Sequence, residues 1–457
     1  MAAVRLQLEM AIARAVGRLS RLSGRGGGTT LPGRLLSGID KGALSALASR
    51  LPQGCALVSA TNGKTTTAAL AAEILAPRFR LARNGAGANL VSGVVSALIA
   101  AERADLGLLE VDEAALLQVT RAVRPRVLCL GNLSRDQLDR YGELELIAER
   151  WRVAVAELPQ ESWLVVNGDD PLLARLAEGR ERTTTFGIDD PAVSRPTLGQ
   201  TADSAYCLRC GYPYAYAAVY VGHLGDYRCL RCKSGRPPLQ VSACRVELEG
   251  TRGVTFDLVL PEGRGRVHLL LPGLYNVYNA LAAAALARSL GASLDEIVAG
   301  LHRARPVFGR FERIAVGERT LLVLLIKNPA GASEAVRTVV QGLPPRLALV
   351  CLNDDVADGR DVSWIWDVDF EPLASGLERL VASGERAAEL ALRFKYGGLA
   401  EDRIEVVPDL EQALDRALRL TPAGGELVCL PTYTAMLALQ RVVAERGYAP
   451  PYWERAA

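Results

Sequence analysis

The sequence predicts an α/β protein with parallel sheets, and three observations carry this prediction. Apolar runs of strand length alternate along the chain with Ala- and Leu-rich runs of helix length. At residues 56–75 a strand, a polar turn and a helix follow one another in the order typical of phosphate-binding loops. Polar turns rich in Asn, Asp and Glu follow several other strands, at the edge where open α/β sheets form binding sites.

Length and composition limit the classes of protein that this chain can be. Its 457 residues predict two or three domains, and a hydrophobic content of 49% allows sizeable cores. The formal net charge of +2 gives no electrostatic indication of a nucleic-acid-binding protein. No apolar run is long enough for a transmembrane segment, and the N-terminus lacks a signal-peptide pattern. We therefore expect a cytoplasmic protein.

The N-terminal residues predict helices. Residues 1–22 place apolar side chains among arginines, as in an amphipathic basic helix, and packing on its own protein is favoured over a membrane surface. Glycines end this helix, and a second one is expected near residues 41–50. We assign residues 1–45 to an N-terminal helical segment, 46–312 to a central domain and 313–457 to a C-terminal domain.

The turn at residues 57–67 is the stretch around which the central domain is organised. In this order of elements, free N–H groups at the helix start face an anion, and the helix dipole favours negative charge there. Lys64 is expected to reach the β- and γ-phosphates, and the Thr65 hydroxyl to bind Mg²⁺. The first Gly of the full Walker pattern is missing here, so a lysine at an ordinary strand–helix turn is the alternative.

Carboxylates stand at the C-terminal end of the next long strand, which is predicted at residues 106–113. Glu110 or Glu113 near Lys64 suits a Mg²⁺ ligand. The other elements predicted in this region are a Gly-rich loop at 83–89, a helix at 90–102, strands at 127–130 and 162–166, and a helix at 144–157.

Two C-x-x-C pairs with 18 residues between them predict a Cys₄ zinc ribbon inserted at residues 204–236. The expected zinc ligands are Cys207, Cys210, Cys229 and Cys232. Four thiolates leave no open position for catalysis, so we expect the zinc to fold the insertion rather than to bind another molecule. His223 is expected to have a structural role. The five other cysteines lie in apolar surroundings and are expected to be reduced and buried.

The last third of the chain predicts a second, Rossmann-like α/β domain. Before it, still in the central domain, antiparallel strands are expected after residue 243, and an Ala-rich helix with Asn276 and Asn279 at its start follows residue 272. Further strands are predicted at 321–326, 347–352, 380–382, 404–407 and 427–430.

Taken together, these segments resemble the Mur ligase superfamily, and most narrowly its MurT branch, over residues 30–445. The matching segments are the ATP loop with Thr61, Asn62, Gly63, Lys64, Thr65 and Thr66, an N-x-x-x-D-x-L-D-x-x-G segment at 132–142, the adenine-contacting Asn276 and Asn279, the linker Arg310, the Asn328-Pro329 turn, the Cys₄ ribbon and the acidic loop at 353–361. The resemblance implies a Mur ligase-like central ATP-binding domain, and ATP, Mg²⁺ and Zn²⁺ as cofactors.

The chain departs from the superfamily at four points. Ala60 replaces the Gly at the head of the ATP loop, and Gln137 stands where ordinary Mur ligases have a metal-binding His. Only Lys233 occurs between Lys64 and Lys327, so the central domain offers no lysine for the carbamate of those enzymes. No separate nucleotide-sugar-binding domain fits ahead of Lys64, which favours a lipid-linked substrate over a UDP-linked one.

The MurT branch comprises synthetase subunits of lipid II isoglutaminyl synthase. The resemblance therefore implies ATP-dependent amidation of the D-glutamate α-carboxylate of lipid II through an acyl phosphate. Mg²⁺ on Thr65 and Glu110, together with Lys64 and Arg310, would neutralise the transferring phosphoryl group.

The same resemblance implies a GatD-type glutaminase subunit as a heterodimer partner, because this chain has no recognisable glutaminase site. The complex would act at the inner face of the membrane. Asp361 is expected to complete the Cys–His site of that partner, with Asp358 as the near alternative. Both carboxylates could instead only cap a turn.

Two other functions are open at this point. A stand-alone ligase that adds an amino acid, like the folylpolyglutamate branch of the superfamily, is disfavoured by the missing carbamate lysine and the missing substrate domain. A scaffold that binds ATP only to organise a cell-wall complex would lack substrate-dependent phosphate release.

Overall fold

The computed structural model describes residues 10–13, 15, 30–85, 87–134, 144–198, 204–305, 310–341 and 344–450. These residues form a sheet of nine strands, a sheet of six strands and a separate two-stranded hairpin. Each large sheet has apolar cores on both of its faces, built with the flanking helices, so the predicted α/β class is confirmed. Within the described ranges, no helix has both the length and the apolar character that crossing a membrane requires.

The first sheet contains the strand that leads into the predicted phosphate loop. Its strands are β1 (Cys55–Ser59), β2 (Leu81–Arg83), β3 (Leu106–Glu110), β4 (Val127–Leu130), β5 (Trp163–Asn167), β6 (Thr183–Ile188), β9 (Val241–Leu248), β10 (Val254–Leu260) and β11 (Gly263–Leu269). Their order is β11-β10-β9-β6-β5-β4-β1-β3-β2. All neighbouring strands from β9 to the β2 edge of this order are parallel. Strands β10 and β11 form an antiparallel edge next to β9.

The helices packed on this sheet are α1 (Leu31–Ile39), α2 (Ala43–Ala48), α3 (Lys64–Leu75), α4 (Val91–Ala100), α5 (Leu116–Val123), α6 (Leu144–Ala156), α7 (Pro171–Leu176), α8 (Leu274–Ser289) and α9 (Leu294–Arg303). Helix α8 is buried almost all round, as its Ala-rich sequence allows, and it packs against α3 and the strands. This packing brings the first turn of α8 next to the first turn of α3.

In this region one helix was missed and one predicted boundary was wrong. The helix expected near residues 41–50 is present as α2, but α1 precedes it, because Pro32 is tolerated in the first turn of a helix. Gly33 lets α1 approach α4, since a Cβ there would lie 1.8 Å from the Ser92 carbonyl oxygen. The strand expected at 106–113 ends at Glu110, because the Asp112 N–H leaves the ladder and donates to the Asn89 carbonyl.

Only residues 10–13 and 15 of the predicted N-terminal helix lie within the described part of the chain, and they are helical. Met10 and Ala13 are buried in the core beneath α1 and α2, and Arg50 donates to the Met10 sulfur. Ile12 is about half exposed, at 48%. The described part of this helix therefore packs on its own protein, as predicted.

The second sheet has the order β12-β13-β17-β14-β15-β16. Its strands are β12 (Arg310–Val316), β13 (Arg319–Leu324), β14 (Leu347–Cys351), β15 (Arg379–Ser383), β16 (Ile404–Val406) and β17 (Glu426–Pro431). Its helices are α10 (Pro329–Val340), α11 (Glu371–Gly376), α12 (Ala387–Tyr396), α13 (Leu410–Leu420) and α14 (Tyr433–Glu445). Strand β12 is antiparallel to β13 and the others are parallel, as the predicted alternation of strands and helices requires.

The hairpin consists of β7 (Tyr214–Val221) and β8 (Leu224–Cys229) and lies in the chain between β6 and β9. It carries the predicted Cys₄ cluster at one end, because Tyr214 pairs with Cys229. At its other end, Val221 pairs with Leu224 across the turn.

Candidate active site

The predicted phosphate loop joins β1 to α3 in the expected geometry. Gly63 precedes the helix with φ of +88°, a left-handed conformation that favours glycine, and α3 begins at Lys64. A Cβ on Gly63 would lie only 2.0 Å from Oδ1 of Asn279, at the start of α8. Thr61 and Thr66 are buried in the loop and Thr65 is half-buried. The loop therefore needs glycine at position 63 for two independent reasons.

Substitution of this glycine should show whether both reasons matter. Gly63→Ala is expected to weaken nucleotide binding at least tenfold, because the methyl group displaces Asn279 and the backbone leaves its φ. Gly179→Ala is the matched control, since Gly179 has φ of +77° but no atom within 4 Å of the added Cβ. That control should cost only about 1–2 kcal/mol of stability. Equal nucleotide affinity of Gly63→Ala and wild type, by isothermal titration calorimetry, would contradict this prediction.

Asn132, two residues after the end of β4, holds the loop by hydrogen bonds. Its Oδ1 accepts from the Asn62 N–H at 2.9 Å, its Nδ2 donates to the Asn62 carbonyl at 2.8 Å, and its own carbonyl accepts from the Thr61 N–H. The Thr61 hydroxyl is also bonded to the Ser134 backbone. Sequence reasoning assigned Asn132 to a motif but not to this clamp. The rest of that motif, residues 135–142 with Gln137, lies outside the described residues.

Lys64 is buried beside carboxylates from the end of β3. Its Nζ donates to Oε2 of Glu113 at 2.7 Å and to the Ala60 carbonyl at 2.5 Å. Burial lowers the Lys64 pKa, but the charges of Glu113, Glu110 and Asp112 outweigh burial and raise it overall. Lys64 is therefore held charged, and Glu113 is its direct partner in the absence of nucleotide.

Glu110, the predicted Mg²⁺ ligand, is positioned by the Gly-rich loop. The Asn84 amide accepts from the Glu110 N–H and donates to the Glu110 carbonyl, and the Asn89 amide lies 3.4 Å from Oε1 of Glu110. The Glu110 side chain is buried next to the loop that carries Thr65. A buried carboxylate near a phosphate loop suits Mg²⁺, which takes oxygen ligands, so Glu110 and Thr65 stay the predicted pair.

The two asparagines predicted to contact adenine lie one turn apart on α8. Asn279 Nδ2 donates to Asn276 Oδ1 at 2.9 Å, and Asn276 Nδ2 donates to the Pro272 carbonyl at 2.7 Å. The Thr67 hydroxyl donates to Asn279 Oδ1 at 3.4 Å. Asn279 thus borders the phosphate loop directly, and Asn276 supports it from behind.

A cleft of about 970 Å³, counted out to open solvent, lies between the two sheets beside this loop. Gly63, Asn279 and Asn62 line one side, and the start of α10 lines the other. Asn62 and Asn328 exchange side-chain contacts of 3.1 and 3.4 Å across it. The cleft has the mixed apolar and polar lining of a small-molecule site. Arg310 opens β12, and its side chain lies outside the described part of the structure.

The predicted zinc ligands come together at the open end of the β7–β8 hairpin. The four sulfur atoms of Cys207, Cys210, Cys229 and Cys232 lie within 4.8 Å of one another. Burial raises the Cys207 pKa, but N–H groups of Arg209 and Cys210 outweigh it and lower the pKa to about 6. The cluster is therefore compatible with zinc, which binds thiolates in a tetrahedron.

Metal analysis of the purified chain should find one zinc per molecule. Cys207→Ser is expected to lower the melting temperature by roughly 5 °C or more, because the metal closes the ribbon. The loss in free energy of unfolding should be larger than the loss in free energy of ATP binding. Cys244→Ser, outside the cluster, is the control and should keep the zinc. Absence of metal, or a disulfide within the cluster, would contradict the prediction.

The two carboxylates considered for the partner's site behave differently. Asp358 is buried, and Thr434 donates to it from both its N–H and its hydroxyl. Burial raises the Asp358 pKa. Asp361 is exposed on the same loop, and hydrogen bonds from Ser363 lower its pKa. Asp358 thus ties the loop to α14, whereas Asp361 faces solvent as a carboxylate.

An exposed aromatic patch includes Trp366, which follows Asp361 by five residues in the sequence. We define it as Trp366, Leu392 and Tyr396, which are 45%, 45% and 73% exposed. The Trp366 and Tyr396 rings meet edge to face with centroids 5.8 Å apart, and the Arg393 guanidinium lies 5.8 Å from the Trp366 ring centre. Large exposed aromatic groups of this kind mark interaction surfaces.

Two parts of the chain match known protein families. Residues 58–225 match the family model of the Mur ligase middle domain, and residues 325–436 match that of the MurT ligase C-terminal region. The MurT subunit of lipid II isoglutaminyl synthase (glutamine-hydrolyzing) from Streptococcus pneumoniae is 33% identical over 94% of both chains. Its Staphylococcus aureus counterpart is 30% identical over 93% of this chain and 94% of its own.

Among solved structures, a pseudomurein peptide ligase type C from Methanothermus fervidus has a similar fold. It superposes with a TM-score of 0.69 at 22% identity, over 88% of this chain and 80% of its own. At this identity the likeness concerns the fold alone.

Proposed function

The chain belongs to the MurT family of Mur ligase-like enzymes, and from this premise we propose that it amidates the D-glutamate α-carboxylate of the lipid II stem peptide to D-isoglutamine. The observation that carries the proposal is the 33% identity over 94% of both chains, which takes in the phosphate loop as well as the acidic loop with Asp361. With the proposed ranges of 46–312 for the central domain and 313–457 for the C-terminal domain, the phosphate loop belongs to the nine-stranded sheet and the acidic loop to the six-stranded sheet.

The proposed reaction has two steps. A carboxylate oxygen of the substrate attacks the γ-phosphorus of ATP, and ADP leaves with the electrons of the broken P–O bond. Ammonia then attacks the carbonyl carbon of the acyl phosphate, inorganic phosphate leaves, and one proton of the nitrogen is lost to give the amide. Catalysis of the first step depends on positioning and on neutralising charge.

In this proposal the cleft residues bind the nucleotide. The loop from Thr61 to Thr66 surrounds the phosphates, and the Lys64 ammonium leaves Glu113 to meet them. Asn276 and Asn279 contact the adenine, and Arg310 neutralises the transferring group. Mg²⁺, held by Glu110 and Thr65, supplies further positive charge at the phosphates.

Ammonia is protonated at neutral pH and is then not nucleophilic, so it must be delivered as the free base. We assign this task to a GatD-type glutaminase that binds the C-terminal region as a heterodimer partner. Exposed Asp361 is the candidate for orienting the partner's catalytic His, since Asp358 is already occupied by Thr434. The aromatic patch is the candidate contact surface, because interface cores are rich in aromatic residues. The complex would work at the inner face of the membrane, where its lipid-linked substrate lies.

One assay tests these assignments together. The full chain is incubated with lipid II, Mg²⁺-ATP and glutamine, with and without the partner subunit, and the product is read by mass spectrometry. A loss of one mass unit per stem peptide, only with the partner present, is expected. Equal amidation without the partner would overturn the partner's role. Addition of an amino acid would support the stand-alone ligase, and ATP binding without substrate-dependent phosphate release would support the scaffold.

A further inference from the structure

The hairpin that holds the Cys₄ cluster reaches the nucleotide cleft with its opposite end. From Tyr214 to Val221, strand β7 runs roughly 23 Å at the usual rise of a strand. The turn at its far end places His223 in the wall of the cleft, together with Gly222 and Leu224. The insertion is therefore part of the proposed active site as well as a metal-binding module.

His223 is held firmly in this wall. Its side chain is 3% exposed, and its Nε2 lies 3.6 Å from Oδ2 of the fully buried Asp170. The hydroxyl of Tyr216, on β7, lies within donating distance of two carbonyl oxygens, that of His223 at 3.0 Å and that of Ser204 at 2.9 Å. The His223 backbone is thus held by the hairpin, and its ring lies beside Asp170, which follows β5 of the first sheet.

A short chain of contacts leads from His223 to the phosphate loop. Asp170 caps α7 and also accepts from the Leu133 N–H at 3.2 Å. Leu133 follows Asn132, whose amide clamps Asn62. The cleft wall near His223 is built from Tyr275, Tyr278 and Phe311 and from aliphatic side chains. That lining suits a purine ring better than phosphate groups.

Three tyrosines connect the turn to the cysteine end of the hairpin. The rings of Tyr214 and Tyr227 lie 5.0 Å apart, and those of Tyr216 and Tyr227 lie 6.1 Å apart. On the other side, Arg337 of α10 donates to the Tyr220 carbonyl at 3.0 Å. The turn is thus held by the core of the first sheet, which includes Tyr220 and Leu224, and also by the tyrosine rings that lead to the cysteine end, whose order a bound zinc would enforce.

We propose that His223 is a positioning residue for the nucleoside half of the bound nucleotide, and that zinc at the Cys₄ cluster holds it in place through the hairpin. This inference rests on the proposed use of ATP. The imidazole contacts the base or ribose and leaves the phosphates to the loop at 61–66. Metal occupancy and nucleotide affinity are then linked, although the cluster lies at the far end of the hairpin.

Calorimetric titration of the full, zinc-loaded chain with Mg²⁺-ADP and, separately, with Mg²⁺-pyrophosphate tests the assignment. His223→Ala should weaken ADP binding about fivefold to tenfold, the worth of one hydrogen bond, and leave pyrophosphate binding unchanged. His223→Gln, which keeps a polar group and guards against misfolding, should recover part of the affinity. His268→Ala is the control, because His268 lies on β11 and is half exposed.

A zinc chelator provides the second arm. Removal of zinc should weaken ADP binding to the wild type by no more than the loss that His223→Ala causes. In the His223→Ala variant, removal of zinc should cause no further loss of ADP affinity. ADP affinity of folded His223→Ala equal to wild type overturns the inference, as does an equal chelator effect in both proteins. If the wild type binds neither ADP nor pyrophosphate, both the inference and the proposed function fail. If the wild type binds both and His223→Ala binds ADP equally well, only the inference fails and the proposed function stands.

Discussion

Lys64→Met should reduce substrate-dependent phosphate release on the order of 10²- to 10³-fold, the usual loss when one preorganised donor to developing charge is removed. The Lys64 ammonium is buried on the phosphate loop, and Glu113 holds it charged. Its removal takes a buried cation away from the loop that binds the phosphates in the proposed function. Steady-state phosphate release with the complete complex, lipid II and glutamine measures the effect.

The same change also harms the fold, so activity alone is ambiguous. Without Lys64 the buried Glu113 carboxylate loses its ion-pair partner, which costs roughly 3–5 kcal/mol when a buried pair is broken. The double variant Lys64→Met/Glu113→Gln removes both charges and should regain much of the melting temperature. We expect it to stay inactive. Recovery of phosphate release in the double variant would mean that Lys64 acts on stability and not on the phosphates.

Asp361→Asn should lower glutamine-dependent amidation on the order of 10²- to 10⁴-fold, as expected when the carboxylate that orients a catalytic His is replaced by an amide. ATP binding and assembly of the complex should be unchanged, because Asp361 is exposed and far in sequence from the phosphate loop. Added ammonium salt at mildly alkaline pH should restore part of the amidation, since only the ammonia supply is broken. Amide formation from each nitrogen source is measured by mass spectrometry.

Asp358→Asn is the matched control on the same loop. Thr434 donates twice to Asp358, so the amide should loosen the loop and lower the melting temperature, with a smaller loss of glutaminase activity than Asp361→Asn gives. The reverse pattern would transfer the role to Asp358. Wild-type glutamine turnover in both variants would exclude the idea that this loop completes the partner's site.

Local patterns were enough to predict the parallel sheets, the loop before Lys64 and the Cys₄ cluster. Each of these depends on residues close in sequence or on the spacing of two C-x-x-C pairs. The sequence left Glu110 and Glu113 open as the carboxylate near Lys64. Both stand at the end of the same strand, and the residue at which the strand ends decides which way each side chain points. That end is fixed by Asn89, which bonds Asp112 from another loop.

Other features depended on contacts between distant residues. Asn84 bonds Glu110 across 26 positions, Thr434 bonds Asp358 across 76, and His223 reaches the cleft only through the packing of the hairpin. The short-range clues were a Gly-rich loop, an Asp-Gly turn and a single buried His. None of them identifies its partner, so such roles could not be predicted from periodicity or spacing.

The burial of α8 has a thermodynamic consequence for nucleotide binding. Asn276 and Asn279 project from a helix that is enclosed on nearly all sides, and each amide is already fixed by a hydrogen bond within the helix start. Their rotamer freedom was therefore lost when the chain folded, and little conformational entropy remains to be lost when a base arrives. In the proposed function, the asparagine side of the cleft is therefore a rigid template, whereas phosphate binding must first separate the ion pair of Lys64 and Glu113.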